Sequence, residues 1–184
     1  MAKGFHSTDI ASKSQVNIGT PETNVNATEY GDGTNHRTVL TLTDVLLPGP
    51  AGSGNEAKAF KLYEFPAGVH AHRITDMEIA LNGGGIINAD TPDIGIGSTN
   101  ANGAVATLDG TSTFEDYITG QTAPDCNNTP LRKMTGATAG YGTGISLNEM
   151  GDAKDVFLNY ADNWAGADTL RATGTIIIEW TTIE

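Results

Sequence analysis

The chain has 184 residues, with 22 acidic against 10 basic side chains and a formal net charge of -12. That length fits one domain able to bury about two-thirds of its unfolded surface. The charge, with no basic stripe anywhere, argues against contact with nucleic-acid phosphates, so no direct nucleic-acid partner is expected.

The opening "MAKGFHSTDIASKS" lacks a continuous apolar run and does not read as a secretory signal. No segment approaches the roughly 20 apolar residues needed to span a bilayer. Cytoplasmic synthesis with no membrane partner is therefore expected. Residues 1–35 are polar and rich in turn formers, and read as an arm or irregular segment that orders on assembly. Within it His6 and Ser7 form a polar pair without the strand-to-turn setting of a nucleophile. The remainder, 36–184, reads as a β-sandwich domain.

The first firm strand is "HRTVLTLTDVLL", 36–47, ended by the loop "PGPAGSGN". "KAFKLYEF", 58–65, is the second, followed by a turn at Pro66, Ala67 and Gly68. The third runs from Val69 until "NGGG" at 82–85. Strict alternation in it places His70, His72, Ile74, Asp76, Glu78 and Ala80 on one face, and Val69, Ala71, Arg73, Thr75, Met77, Ile79 and Leu81 on the other. Ile94 and Ile96 share a face between glycines that permit close backbone approach. Asn102-Gly103 is a turn signal, and "VATL", 105–108, reads as a short strand. "TFEDYIT", 113–119, has the i, i+3, i+4 spacing of a short helix in Phe114, Tyr117 and Ile118, with Thr113 as its N-cap. Residues 120–151 read as a long irregular excursion broken by Pro124 and Pro130. "DVFLNYAD", 155–162, and "ATGTIIIEWTTIE", 172–184, close the chain as strands, with Gly174 marking a bulge.

Seven or eight short strands with Gly, Pro and Asn turns and no long helix make an all-β fold: an antiparallel sandwich, jelly-roll-like, with loop-rich insertions. Its core is expected to include Leu40, Leu42, Leu62, Met77, Ile79, Leu81, Leu158, Ile176, Ile178 and Trp180. Glycine, at 23 residues without a three-residue period, excludes collagen and suits such a protein.

Candidate chemistry is sparse. Cys126 is the only cysteine, so an intrachain disulfide and a cysteine-clustered zinc site are both impossible; it reads as a tolerated loop thiol. The glycine clusters at 83–85 and 140–144 lack the GK[S/T] of a phosphate loop. "YGDGTN", 30–35, and "DTPD", 90–93, bring oxygen ligands close together, as weak calcium sites do. Phe60, Tyr63, Phe65, Phe157, Tyr160, Trp164 and Trp180 suit core or subunit packing, or a carbohydrate platform; Trp164 falls in a loop. His70 and His72, with Asp76 or Glu78 and then Gly83, resemble half of the first metal motif of the cupin family, and imidazoles with a carboxylate suit Fe, Mn, Ni or Zn. That family's second motif needs a further histidine, and none follows His72. The other reading is a polar, solvent-facing or intersubunit row without metal. No catalytic, cofactor-binding or metal residue is assigned, and the protein reads as a non-enzyme.

"YEFPAGVHAHRITDMEIALN", "TPDIGIGSTNANGAVATLDGTSTFEDYITG" and "DVFLNYADNWAGADTLRATGTIIIEW" together resemble small β-rich structural proteins of tailed bacteriophages, especially phages of marine bacteria. The shared elements are the turn from Pro66 to Gly68, the piece from Asp93 to Gly97, the segment from Leu158 to Trp164 and the closing strand from Thr173 to Trp180. The resemblance covers about residues 59–183. It implies a virion component, usually oligomeric, such as a decoration (cement) protein of the capsid surface bound to the major capsid protein; head-fibre, tail (including a carbohydrate-binding module of a tail or fibre) and minor capsid roles stay open, and a homotrimer is expected because threefold positions are common docking sites. It implies no active site and gives His70 and His72 no role.

Overall fold

The computed structural model describes residues 19–31, 35–65, 70–108, 113–134, 146–148 and 154–182. The described strands are β1 (Thr20–Pro21), β2 (Val25–Gly31), β3 (Asn35–Leu47), β4 (Gly54–Phe65), β5 (His70–Gly83), β6 (Asp93–Gly97), β7 (Ile118–Thr122), β8 (Asn127–Met134), β9 (Ser146–Asn148), β10 (Lys154–Trp164) and β11 (Leu170–Thr182). They form two sheets in which every pairing is antiparallel. Sheet I has the order β1-β4-β10-β6-β7; sheet II has the order β2-β3-β11-β5-β8, with β9 also paired to β5.

The all-β sandwich follows from where the apolar side chains alternate. In β3, His36, Thr38, Leu40 and Leu42 are buried at every second position. In β11, Leu170, Ala172, Ile176, Ile178 and Trp180 do the same. Opposite them sheet I contributes Leu62, Tyr63, Phe65, Ile94, Ile96, Val156, Leu158 and Tyr160, and all of these belong to one core cluster. Each core residue expected from the sequence is buried.

Bulges reset the alternation, and this is where simple parity fails. In β5 the register against β11 shifts at Ile177/Ile178, so that Asp76 pairs with Ile177 but Ile74 with Ile178. Ile74 and Met77 are therefore both buried although three residues apart. A second bulge in β4, opposite Val156/Phe157, turns both Leu62 and Tyr63 inward. A third lies between β3 and β11, where Asp44 adopts φ 52 and the register skips from Ala172 to Gly174. Gly174 is required there: a Cβ would run into the carbonyl oxygen of Glu78 on β5.

Four local expectations give way. Residues 20–31 are not irregular: β1 pairs with β4, and β2 with β3, because Val25, Ala27 and Glu29 alternate inward. Residues 1–18 lie outside the described residues. "VATL" forms no strand; Leu108 instead packs with Ala101, Phe114, Ala57 and Ala161 in a small cluster on the outer side of sheet I. The helix expected at 113–119 is a series of turns leading into β7, because Tyr117 and Ile118 are drawn into the core beside Ile96. The supposed excursion 120–151 takes in the end of β7 and all of β8 and β9; Pro130 is accommodated because β8 is an edge strand.

Ile178→Ala is expected to cost about 2–5 kcal/mol, as a fully buried large-to-small change. Gly174→Ala is expected to cost about 1–3 kcal/mol through overpacking against β5. Equilibrium denaturation checks both, and a cost below about 1 kcal/mol at Ile178 would place that face outside the core.

Candidate functional site

The acids of the histidine strand are engaged across the sheet. Arg132 of β8 donates to Asp76 at 2.9 Å and approaches Glu78 at 3.9 Å. The hydrogen bond to Asp76, with the charge of both acids, pushes the guanidinium further toward its charged form. A cation thus already faces the carboxylates that the cupin-like reading would offer to a metal. His70 and His72 lie in β5 ahead of the bulge, so no unbroken alternation joins them to Asp76 and Glu78, contrary to the shared face expected from the sequence. The side chains of residues 70–73 lie outside the described set. Among the described residues no group of three His, Cys, Asp or Glu could hold a metal ion.

Backbone register reveals an association that sequence spacing hides. Trp180 of β11 pairs with His36 of β3 on one side and with His72 of β5 on the other. The His36 ring stacks on Trp180 with centroids 4.0 Å apart and planes 13° apart. Its Nδ1 lies 2.6 Å from Glu29 of β2, and the two side chains are only 3% and 2% exposed. Trp180 Nε1 donates to Thr38 Oγ1 at 2.9 Å. Nearby, Tyr63 accepts a hydrogen bond from the Gly19 amide at 2.7 Å. Burial pushes the Tyr63 phenol up to about 12, so it acts as a neutral hydrogen-bonding group. This cluster ties β2 and the residue before β1 to the sandwich. Its chemistry is that of a structural clasp.

A second set of polar groups organises the loops. Asn159 of β10 is fully buried; it accepts from the Ala101 amide at 2.8 Å and donates to the carbonyls of Thr99 at 3.0 Å and Phe114 at 2.5 Å. One amide side chain thereby holds three points of the segment between β6 and β7 over sheet I. At one end of the sandwich lie the connections 48–53, 84–92, 123–126 and 165–169. Asp168 caps the amides of Ile86 and Thr169, which holds its carboxyl below the usual range. Asp90 accepts from the Ala165 amide at 2.9 Å through its side chain and from the Cys126 amide at 3.0 Å through its carbonyl.

The candidates read from composition resolve similarly. Cys126 is buried, and burial with the charges of Asp90, Asp162 and Asp125 pushes its thiol up to about 12, far from a reactive thiolate. Trp164 is not in a loop: it ends β10, is 1% exposed, and its Nε1 donates to the Glu56 carbonyl at 2.9 Å. It therefore offers no exposed ring to a sugar. Asp93, of the proposed oxygen cluster at 90–93, accepts from the Leu108 amide and from Thr122 Oγ1. Residues 32–34, 140–144 and the His6–Ser7 pair lie outside the described residues. Sequence reading missed Asn159, because its partners lie far away in sequence, and the Glu29–His36 pair, because it forms only once β2 pairs with β3; neither carries a local motif.

Asp162 supplies a pH test of this end. Burial first, then the charges of Asp90 and Asp93, raise its pKa. The native state thus favours the neutral carboxyl, and stability falls as pH rises through the raised value. Asp162→Asn is expected to raise Tm at neutral pH, with the gain shrinking toward about pH 4 as the wild-type acid protonates. Thermal melts across pH check this; a lower Tm for the variant at neutral pH would contradict it.

Comparison with family models, with curated proteins and with solved structures finds no match to the chain.

Proposed function

We propose that this chain is a virion structural protein: a jelly-roll body that coats the outside of a phage head as a homo-oligomer, a trimer in our reading, bound to the major capsid protein. The observation that carries the proposal is the strand order. Leaving aside the two- and three-residue β1 and β9 and the N-terminal edge strand β2, β3 pairs with β11, β4 with β10, β5 with β8 and β6 with β7. First meets last, second meets next to last, and so inward, as in a long four-rung hairpin. The further pairings β11 with β5 and β10 with β6 roll that hairpin into two sheets. Capsid proteins are among those built on this winding.

Two further points support the reading. The stretches that resemble phage structural proteins cover the end of β4, nearly all of β5, β10 and β11, and β6 with the connection that follows it into β7. The polar side chains described above stitch strands and loops, and the acidic charge suits the outer side of a shell, away from packaged DNA.

A metal-binding roll is the second reading, favoured by one observation: His36 and His72 share a cross-strand row on either side of Trp180. The His36 ring is already held by Glu29 and Trp180.

Cryo-electron microscopy of the parent particle is expected to place this chain on the outer surface of the head; its absence from the head would overturn the proposal. Elemental analysis of untagged protein is expected to find no stoichiometric transition metal. Metal that is lost on His72→Ala would establish the second reading instead.

A further inference from the structure

We infer that the outer face of sheet II is the surface through which copies of this chain associate. The inference rests on the homo-oligomeric part of the reading above and is independent of the capsid.

The two outer faces of the sandwich differ. That of sheet I is covered by the chain itself, where Ala101, Leu108 and Phe114 pack on Ala57 and Ala161 and Asn159 holds the backbone down. Over sheet II the described residues place no comparable layer. Its outward rows follow from the register. Tyr30, Arg37 and Glu179 stand side by side, then Thr28, Val39, Ile177 and Asp76, then Asn26, Thr41, Thr175, Glu78 and Arg132. The centre is β-branched and uncharged, and Tyr30 at one margin is 45% exposed.

Charge selects the occupant. Each copy carries -12, so two copies repel unless they meet where charge is balanced. On this face Arg37 and Arg132 stand against Glu179, Asp76 and Glu78, and the Arg132–Asp76 pair is already formed at 2.9 Å. The connections at the loop end, by contrast, carry Asp90, Asp125 and Asp168 and no basic residue between them. A partner of strongly basic chemistry would gain little from a face with one acid in excess, whereas a second copy presenting the same uncharged Thr, Val and Ile rows loses no charge pairing. Size agrees. Five strands about 4.8 Å apart, over about eight residues of strand, offer roughly 600 Å² of flat face before side-chain relief. One side of a standard interface is about 800 Å². Three such faces turned toward a common axis would bury their central rows against one another, with Val39 and Ile177 nearest the middle.

The test places a negative charge at the face without touching the core. Thr175→Glu sits on the central strand β11 and Thr28→Glu on the exposed edge strand β2; Asn102→Glu, on the segment covering sheet I, is the control. Mass is read by light scattering at micromolar concentration, with circular dichroism to confirm the fold. The expected result is an oligomeric wild type and control, with both face variants shifted at least about tenfold toward monomer. If Thr175→Glu alone misfolds, Thr28→Glu decides. An oligomer indifferent to the face variants would overturn the inference while leaving the oligomeric coat protein standing. A monomeric wild type would overturn both the inference and the self-association it rests on. Variants that keep their mass but lose binding to the particle would overturn it in favour of a face that docks on the shell.

Discussion

Sheet II cannot exist until its last strand arrives. β11 lies between β3 and β5 and pairs with both along nearly its whole length, while β3 and β5 have no pairing with each other. In sheet I, β10 plays the same part between β4 and β6. The C-terminal pair of strands is thus the keystone of both layers. Its partners lie far away in sequence, so the entropy of closing long loops precedes most of the stabilising burial, as is usual for slow-folding rolled β topologies. The packing around β11 reflects that demand. Ile176, Ile178 and Trp180 are buried, Gly174 lets β5 approach, and the Trp180 ring carries the stacked His36.

The buried polar groups extend the same logic. Glu29 and His36 fasten an edge strand to the row that Trp180 occupies, and Asn159 fastens a long connection to the outside of sheet I. A buried pair such as Glu29–His36 is weak evidence of net stability, since desolvation offsets much of its attraction. Removing one partner, however, would strand the other, so it fixes which strand docks there. The outside of the molecule is divided as well. Aspartates without a basic neighbour in these connections gather at the loop end, and a nearly balanced face with a β-branched centre covers sheet II. The proposed self-association would use the second of these surfaces and leave the first in solvent.

The sequence made the terminal strand and β3 legible because their inward residues alternate over long stretches, from His36 to Leu42 and from Ile176 to Trp180. It also carried the identity of the core, from Leu40 to Trp180. What it could not carry was parity across a bulge. The shift opposite Ile177 is a property of two strands, and nothing local to Asp76 announces it. The shared face of His70, His72, Asp76 and Glu78 failed for that reason. β7 and β8 were hidden by Gly120 and Pro130, residues that edge strands tolerate and central strands do not. Trp164 looked like a loop residue because Gly166 follows it closely, yet its indole is drawn inward by the Glu56 carbonyl across the sheet. β2 was not legible as a strand, because its inward residues Val25, Ala27 and Glu29 are so small or polar that composition suggests a loose arm.

The dependence of the whole body on the closing strands is tested most directly by native-state hydrogen exchange. The account predicts that the slowest amides of β3, β5 and β11 exchange with the same free energy as those of β4, β6 and β10, equal to that of global unfolding. Protected sheet I amides alongside a sheet II that opens at substantially lower free energy would contradict it, and would mean that the two layers are separate units.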